Sequence, residues 1–255
     1  MPICQKADRP QEADYTMQHA NIHANGQRWQ WLRQHPIVAP SLMCADLLNL
    51  GDDVKRLEAA GADAFHVDIM DGHFVDNLAL NFDTLKQVRN TTNLPIDVHL
   101  MVNNPEAYME RALAAGADLC IFHMEAARFP LRLMRMIHAA GGAAGIAINP
   151  ATPAESVKLL LPQTQMVLVM TVEPGFAGQK LITFALDKIA ELASFREEHS
   201  LDFAIGVDGA ISREAAHQAA ARGASFFVGG TSGVFLKDGT DYASAIKALR
   251  QAARR

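Results

Sequence analysis

The sequence predicts a single α/β domain, a (β/α)8 TIM barrel carrying an N-terminal extension, and three observations lead there. From Ile37 onward, short apolar runs alternate with Ala-rich amphipathic stretches at a nearly constant interval, as repeated strand–helix units do. Eight such runs occur, and eight units in one domain favour a closed barrel over an open sheet. No G-x-G-x-x-G follows the first run, so the dinucleotide fingerprint of a doubly wound sheet is missing.

Residues 1–35 form a polar extension rich in Gln and His, without the apolar centre or small-residue cleavage site of a secretory signal. His19 and His23 have the i, i+4 spacing of a helical metal pair, although solvated tail side chains are the commoner meaning of so short a motif. Trp29, Trp31 and Leu32 predict that the end of this arm docks on the barrel domain, residues 36–255. Strands are expected there at 37–41, 64–69, 96–101, 119–123, 144–148, 166–170, 203–207 and 226–229, each a short apolar run. Helices are expected at 50–60, 104–115, 130–140, 153–161, 183–199, 213–222 and 241–253. Ala60-Gly61-Ala62, Ala115-Gly116-Ala117 and Gly223-Ala224 close three of them, glycine being suited to a left-handed C-cap.

At 255 residues, 49% of them hydrophobic and 20% charged, the chain suits one large core of single-barrel size. No apolar run approaches the roughly 20 residues of a membrane span. The formal net charge of -5 comes without basic clusters, so neither membrane insertion nor nucleic-acid binding is expected. Cys4, Cys44 and Cys120 are odd in number and far apart, which argues against a disulfide framework or zinc knuckle and for a reducing cytoplasm.

Chemistry in such barrels gathers at the carboxyl ends of the strands, and ionisable residues close three of the apolar runs. His66 and Asp68 lie in AFHVDIM, His99 in PIDVHLM and Asp208 in FAIGVDG. Spacing by two points His66 and Asp68 to one face of the pleat, and Asp97 and His99 likewise. Any one alone reads as a satisfied buried polar residue, whereas four at strand ends read as a site. Two imidazoles and two carboxylates suit a borderline divalent ion, Zn2+, Mn2+, Fe2+ or Co2+, better than Ca2+, which prefers oxygen ligands. Carboxylates from opposite sides of the mouth can also straddle one carbon. One removes a proton, the metal stabilises the enediolate as a Lewis acid, and the other returns a proton to the opposite face. That is epimerisation, and it requires no organic cofactor.

Two glycine-rich segments complete this reading: Gly175, Phe176, Ala177 and Gly178 after the sixth strand, and Gly230, Thr231 and Ser232 after the eighth. Glycine lets backbone N–H groups approach an anion, and barrels commonly hold phosphate in loops after their last strands. Either loop alone would be an ordinary tight turn. Met43, Met70, Met101 and Met170 fall at or just beyond strand ends, reading equally as core filler or as an apolar lid that keeps water from a carbanion.

The pieces APSLMCADLLNLG, FHVDIMDGHFVDN, DVHLMV, NPATP, VEPGFAGQ, VDG and GGTSG occur in the order and spacing of one family. From about Val38 onward the chain resembles the ribulose-phosphate 3-epimerases, and SLMCADLL, HVDIMDGHF, VMTVEPGFAGQ and GTSGVF look most similar to the D-allulose-6-phosphate 3-epimerase branch. The resemblance implies a metal held by His66, Asp68, His99 and Asp208, with Asp68 as proton acceptor and Asp208 as donor. It implies substrate contacts from Ser41, His99, Met101 and Gly209, phosphate against the backbone of the two glycine-rich loops, and a homo-oligomer. The expected substrate is a phosphorylated ketose: D-allulose 6-phosphate/D-fructose 6-phosphate ahead of D-ribulose 5-phosphate/D-xylulose 5-phosphate. A barrel that binds sugar phosphate without catalysis is the alternative of a different class.

Three positions depart from the family pattern. Gly206 stands where many members carry an acidic residue, Met124 where Pro is common, and Asp76 in place of the Pro of HFVPN. None removes an implied ligand. A decarboxylase on a related barrel would show Asp-x-Lys-x-x-Asp, but the third strand reads Asp97-Val98-His99-Leu100-Met101, without Lys.

Overall fold

Eight parallel strands and seven α-helices alternate in a computed structural model that describes residues 30–33 and 36–254. The strands are β1 (Ile37–Pro40), β2 (Phe65–Met70), β3 (Ile96–Met101), β4 (Leu119–His123), β5 (Ala143–Ile148), β6 (Met166–Met170), β7 (Ala204–Asp208) and β8 (Phe226–Gly229). The helices are α1 (Leu50–Ala59), α2 (Phe82–Thr91), α3 (Pro105–Ala114), α4 (Pro130–Ala139), α5 (Asp187–Glu198), α6 (Arg213–Arg222) and α7 (Tyr242–Ala252). The sheet order is β1-β8-β7-β6-β5-β4-β3-β2, and a bridge between Ser41 and His66 brings β1 against β2, nearly closing the barrel.

Period-two alternation sorts the strand residues into two buried layers. Leu119, Ile121, Met166, Leu168, Phe226 and Val228 fill the barrel, while Val67, Val98, Phe122, Ile146, Val167 and Val207 belong to the core between sheet and helices. Each such side chain contributes about 1.5–3 kcal/mol on burial, which offsets the cost of placing ionisable groups near the mouth.

The differences from expectation are local. Helix α2 was not expected, because FDTLKQVRNT is mostly polar; it buries Phe82, Leu85, Val88 and Arg89 and starts on Asn81, whose side chain accepts from the Thr84 N–H. The 154–163 stretch is a 3-10 helix containing Pro162, which cannot supply the N–H of a regular turn. A 3-10 turn, Thr183–Leu186, precedes α5. Strand β2 runs on to Met70, so Asp68 lies two residues inside its end, and Asp208 is itself the last residue of β7.

Three other findings bear on the expectations. Leu32 is buried and Trp31 packs edge-on against Phe226 at 6.3 Å, so the arm's end docks at the amino end of the barrel. Trp29, His19, His23 and Cys4 lie outside the described residues; Cys44 and Cys120 are free thiols. Among the described residues no helix is long and apolar enough to cross a membrane.

The departures also acquire surroundings. A Cβ at Gly206 would meet Leu168 Cδ1 at 3.0 Å and Met166 Sδ at 3.2 Å, so these side chains crowd the space an acidic side chain would need. The Met124 N–H donates to Ala147 O at 2.9 Å, a bond between the ends of β4 and β5 that Pro could not form. Asp76 is exposed.

Candidate active site

Strand register builds the floor of the mouth. In the β2–β3 ladder His66 lies beside Asp97 and Asp68 beside His99, so parallel pairing sets each imidazole next to a carboxylate. His66 Nδ1 contacts Asp97 Oδ1. His66 Nε2 points the other way, 3.2 Å from Asp68 Oδ1 and 3.8 Å from Asp208 Oδ2. His99 Nδ1 lies 3.4 Å from Asp68 Oδ1 and 3.7 Å from Asp208 Oδ2. One ligand atom from each of His66, Asp68, His99 and Asp208 thus falls within 4.8 Å of the others. No hydrogen-bonding partner satisfies His66 Nε2 or His99 Nδ1, both buried. Orphaned imidazole nitrogens facing carboxylate oxygens fit a divalent cation, which would compensate buried polar atoms that are otherwise costly.

The carboxyl groups at the centre are electrostatically unlike. Burial disfavours the Asp68 carboxylate, but His66 and His99 outweigh it and hold Asp68 well below the usual carboxylate range. Burial raises Asp208; His66 and His99 offset only part of this, and repulsion from Asp68 adds to it. Burial opposes a charged His66, yet Asp97 and Asp68 prevail and raise it. Opposite shifts on paired carboxyl groups are what separates a base from an acid at one pH.

A supporting layer surrounds these groups. The Ser41 hydroxyl donates to Asp68 Oδ2 at 2.6 Å. His99 Nε2 lies 2.8 Å from His123 Nε2, and His123 Nδ1 lies 3.3 Å from Glu125 Oε2. Burial pushes the His123 imidazole down to about 4. Burial disfavours the Glu125 carboxylate too, but hydrogen bonds from His123, Thr152 and Asn149 bring it down to about 2. Sequence reasoning did not single out His123, nor Asp97 as a partner of His66. The signals were present: Asp97 shares a pleat face with His99, and His123 is another ionisable residue closing a strand.

Above this floor, one cavity is lined by Ser41, Met101, Gly175, Phe176, Ala177, Gly178, Gly209, Gly230, Thr231 and Ser232, together with Asp68 and Asp208. Every expected substrate-contact residue is there except His99, which lies with His66 beneath the floor, wholly buried. Two side-chain amides shape the loop after β6: Asn77 donates to Gly175 O at 2.6 Å, and Gln179 to Glu173 O at 2.6 Å and Phe176 O at 2.9 Å. Met43, Met70 and Met101 form an apolar cluster at the mouth with Val75 and Phe74, whereas Met170 packs with the barrel filling; all four line the cavity. A larger cavity at the amino ends of the strands, lined by Leu32, Arg33, Phe203 and Ser225 among others, holds none of the four grouped residues.

Gly209 permits the close approach of β7 and the loop after β6. Its φ is +109°, and a Cβ would fall 2.4 Å from Val172 Cγ2 and 2.9 Å from Val172 N. Gly209→Ala is therefore expected to lose about 2–4 kcal/mol through positive φ and overpacking. Urea unfolding measures this, and an unchanged midpoint at constant m would refute it.

The fold and this site define a barrel enzyme with paired carboxyl groups and a candidate divalent-ion site at the carboxyl ends of its strands. The Ribulose-phosphate 3 epimerase family model matches residues 37–235, and the chain belongs to that family, which makes it an isomerase, a ketose-phosphate 3-epimerase. The ribulose-phosphate 3-epimerase of Methanocaldococcus jannaschii is 42% identical over 85% of this chain and 90% of its own. That of Mycobacterium tuberculosis is 39% identical over 86% and 93%, and that of Bacillus subtilis 40% identical over 76% and 90%. Mycobacterium tuberculosis tryptophan synthase matches with a TM-score of 0.65 at 16% identity, covering 90% of this chain and 98% of that one, a likeness of barrel alone.

The D-allulose-6-phosphate branch expected from the short motifs gains no support, since these relatives carry the ribulose-phosphate name.

Proposed function

We propose that the protein interconverts D-ribulose 5-phosphate and D-xylulose 5-phosphate by inverting C3. The observation that carries this reading is the convergence of Asp68 and Asp208 on buried imidazole nitrogens of His66 and His99 that lack hydrogen-bond partners, below a cavity rimmed by two glycine-rich loops. The relatives named ribulose-phosphate 3-epimerase, 39–42% identical, support the pentulose substrate.

His66, Asp68, His99 and Asp208 would hold the divalent cation, and Zn2+, Mn2+, Fe2+ and Co2+ all suit that donor set. When bound, it supplies Lewis-acid stabilisation of the negative charge that develops on the substrate oxygens during proton removal. Asp68, steadied by the Ser41 hydroxyl, takes the C3 proton from one face. Asp208 delivers a proton to the other, and the roles exchange in reverse. Backbone N–H groups of the loops at Gly175 to Gly178 and Gly230 to Ser232 receive the phosphate. Met43, Met70 and Met101 exclude water from the carbanion face.

The deciding measurement is kcat/KM for D-ribulose 5-phosphate against D-allulose 6-phosphate with metal-reconstituted enzyme. A preference for the pentulose of about 10- to 200-fold is expected, the range a single extra carbon unit commonly commands. A preference for the hexulose would overturn the assignment.

A further inference from the structure

We infer that His123 and Glu125 are positioning residues that fix the tautomer of His99, so that His99 Nδ1 presents its lone pair to the space shared with His66, Asp68 and Asp208. The inference rests on the reading that those four residues hold a divalent cation.

A neutral imidazole carries one N–H, and the hydrogen bond made by one ring nitrogen determines the state of the other. An ionised carboxylate only accepts, so Glu125 Oε2, 3.3 Å from His123 Nδ1, keeps the His123 proton on Nδ1. His123 Nε2 is then bare and faces His99 Nε2 at 2.8 Å. His99 must donate across that contact, so in the neutral ring that a metal ligand requires its Nδ1 is the atom without a proton, 3.4 Å from Asp68 Oδ1 and 3.7 Å from Asp208 Oδ2. His66 has a simpler neighbourhood: its Nδ1 contacts Asp97 and its Nε2 faces Asp68.

The far end of the relay is itself held in place. Glu125 Oε1 accepts from the Asn149 N–H at 2.8 Å and from the Thr152 hydroxyl. Lys188 Nζ reaches from α5 to the carbonyls of Asn149 at 2.6 Å, Pro150 at 3.1 Å and Thr152 at 3.2 Å, pinning the loop that supplies those donors. His123 also stacks on His99 at 4.9 Å and contacts the Phe74 ring at 4.6 Å, so a purely structural role must be told apart from tautomer control.

The test measures the affinity of the metal-free full chain for Co2+ and Zn2+ by competition with a chromophoric chelator, together with the visible spectrum of the Co2+ form. His123→Phe keeps an aromatic ring but removes the acceptor; it is expected to weaken metal binding about 10- to 100-fold, the usual effect of losing such an outer partner, and to alter the Co2+ spectrum. His123→Gln, whose side-chain carbonyl can accept from His99, is expected to recover part of the loss. If His123→Phe does not fold, Glu125→Leu, which frees His123 to adopt the other tautomer, carries the same expectation of weaker binding. His99→Ala separates the two layers of the argument. Loss of affinity in His99→Ala with none in His123→Phe or Glu125→Leu would overturn the positioning role. Unchanged affinity in His99→Ala would overturn the metal-site reading beneath it.

Discussion

Asp68→Asn is expected to lower kcat by about 10²- to 10⁴-fold, the range that general acid–base groups contribute. Asn has nearly the same shape and can still accept from Ser41, so the Ser41 contact survives and only the base and the anionic ligand are lost. Unfolding should shift to lower denaturant, because the buried imidazoles of His66 and His99 lose the carboxylate they hold ionised, so kcat is compared per folded enzyme. Asp208→Asn is expected to lose activity on the same scale, with a distinguishable isotope pattern. With Asp68 intact, the epimer whose C3 proton Asp68 takes should still exchange that proton with heavy water, while little of it becomes the other epimer. Epimerisation by either variant at a rate near wild type would refute the assignment of the two carboxyl groups to opposite faces. Single-turnover measurements with both substrates separate a lost proton carrier from weakened substrate binding.

Removing the divalent cation should be comparably severe. Lewis-acid stabilisation of developing charge supplies several kcal/mol in such reactions, and about 4 kcal/mol corresponds to roughly three orders of magnitude in rate. Dialysis against a strong chelator should therefore abolish turnover, and Zn2+, Mn2+, Fe2+ or Co2+ should restore it better than Ca2+, since two of the four ligand groups are imidazoles. Binding should also be visible without any assay of turnover. A cation at 100 times its Kd adds about 2.7 kcal/mol of stability, which for a chain of this size raises Tm by about 5–10 °C. Full activity in protein shown by elemental analysis to be free of metal would rule out the cation's role.

Much of this protein was legible in its sequence, for reasons that differ between elements. Strands β3, β4, β6 and β8 fall where their apolar runs are, because both faces of a barrel strand are buried and the pattern is continuous. Helix α2 was not legible: four buried residues in ten make a weak stripe, and its start depends on the Asn81 cap. His66, Asp68, His99 and Asp208 stood out because ionisable side chains interrupt otherwise apolar runs. His123 interrupts a run in the same way, yet without the β3–β4 neighbourhood nothing marks it as the partner of His99. Substrate length was not legible in the short motifs, and it is comparison over most of the chain that favours the pentulose phosphate over the hexulose phosphate expected from them.

Sequence by itself determined the barrel, the four ionisable groups and the two glycine-rich loops. Strand period and residue type are local properties, and a strand's carboxyl end is where a barrel places chemistry. Tertiary structure alone decided which ring nitrogen of each histidine faces the site. That choice depends on parallel register across β2, β3 and β4 and on closure of β1 against β2, which bring Asp97, His123 and Ser41 against His66, His99 and Asp68. No local pattern encodes such neighbours, because they become neighbours only when distant strands pair.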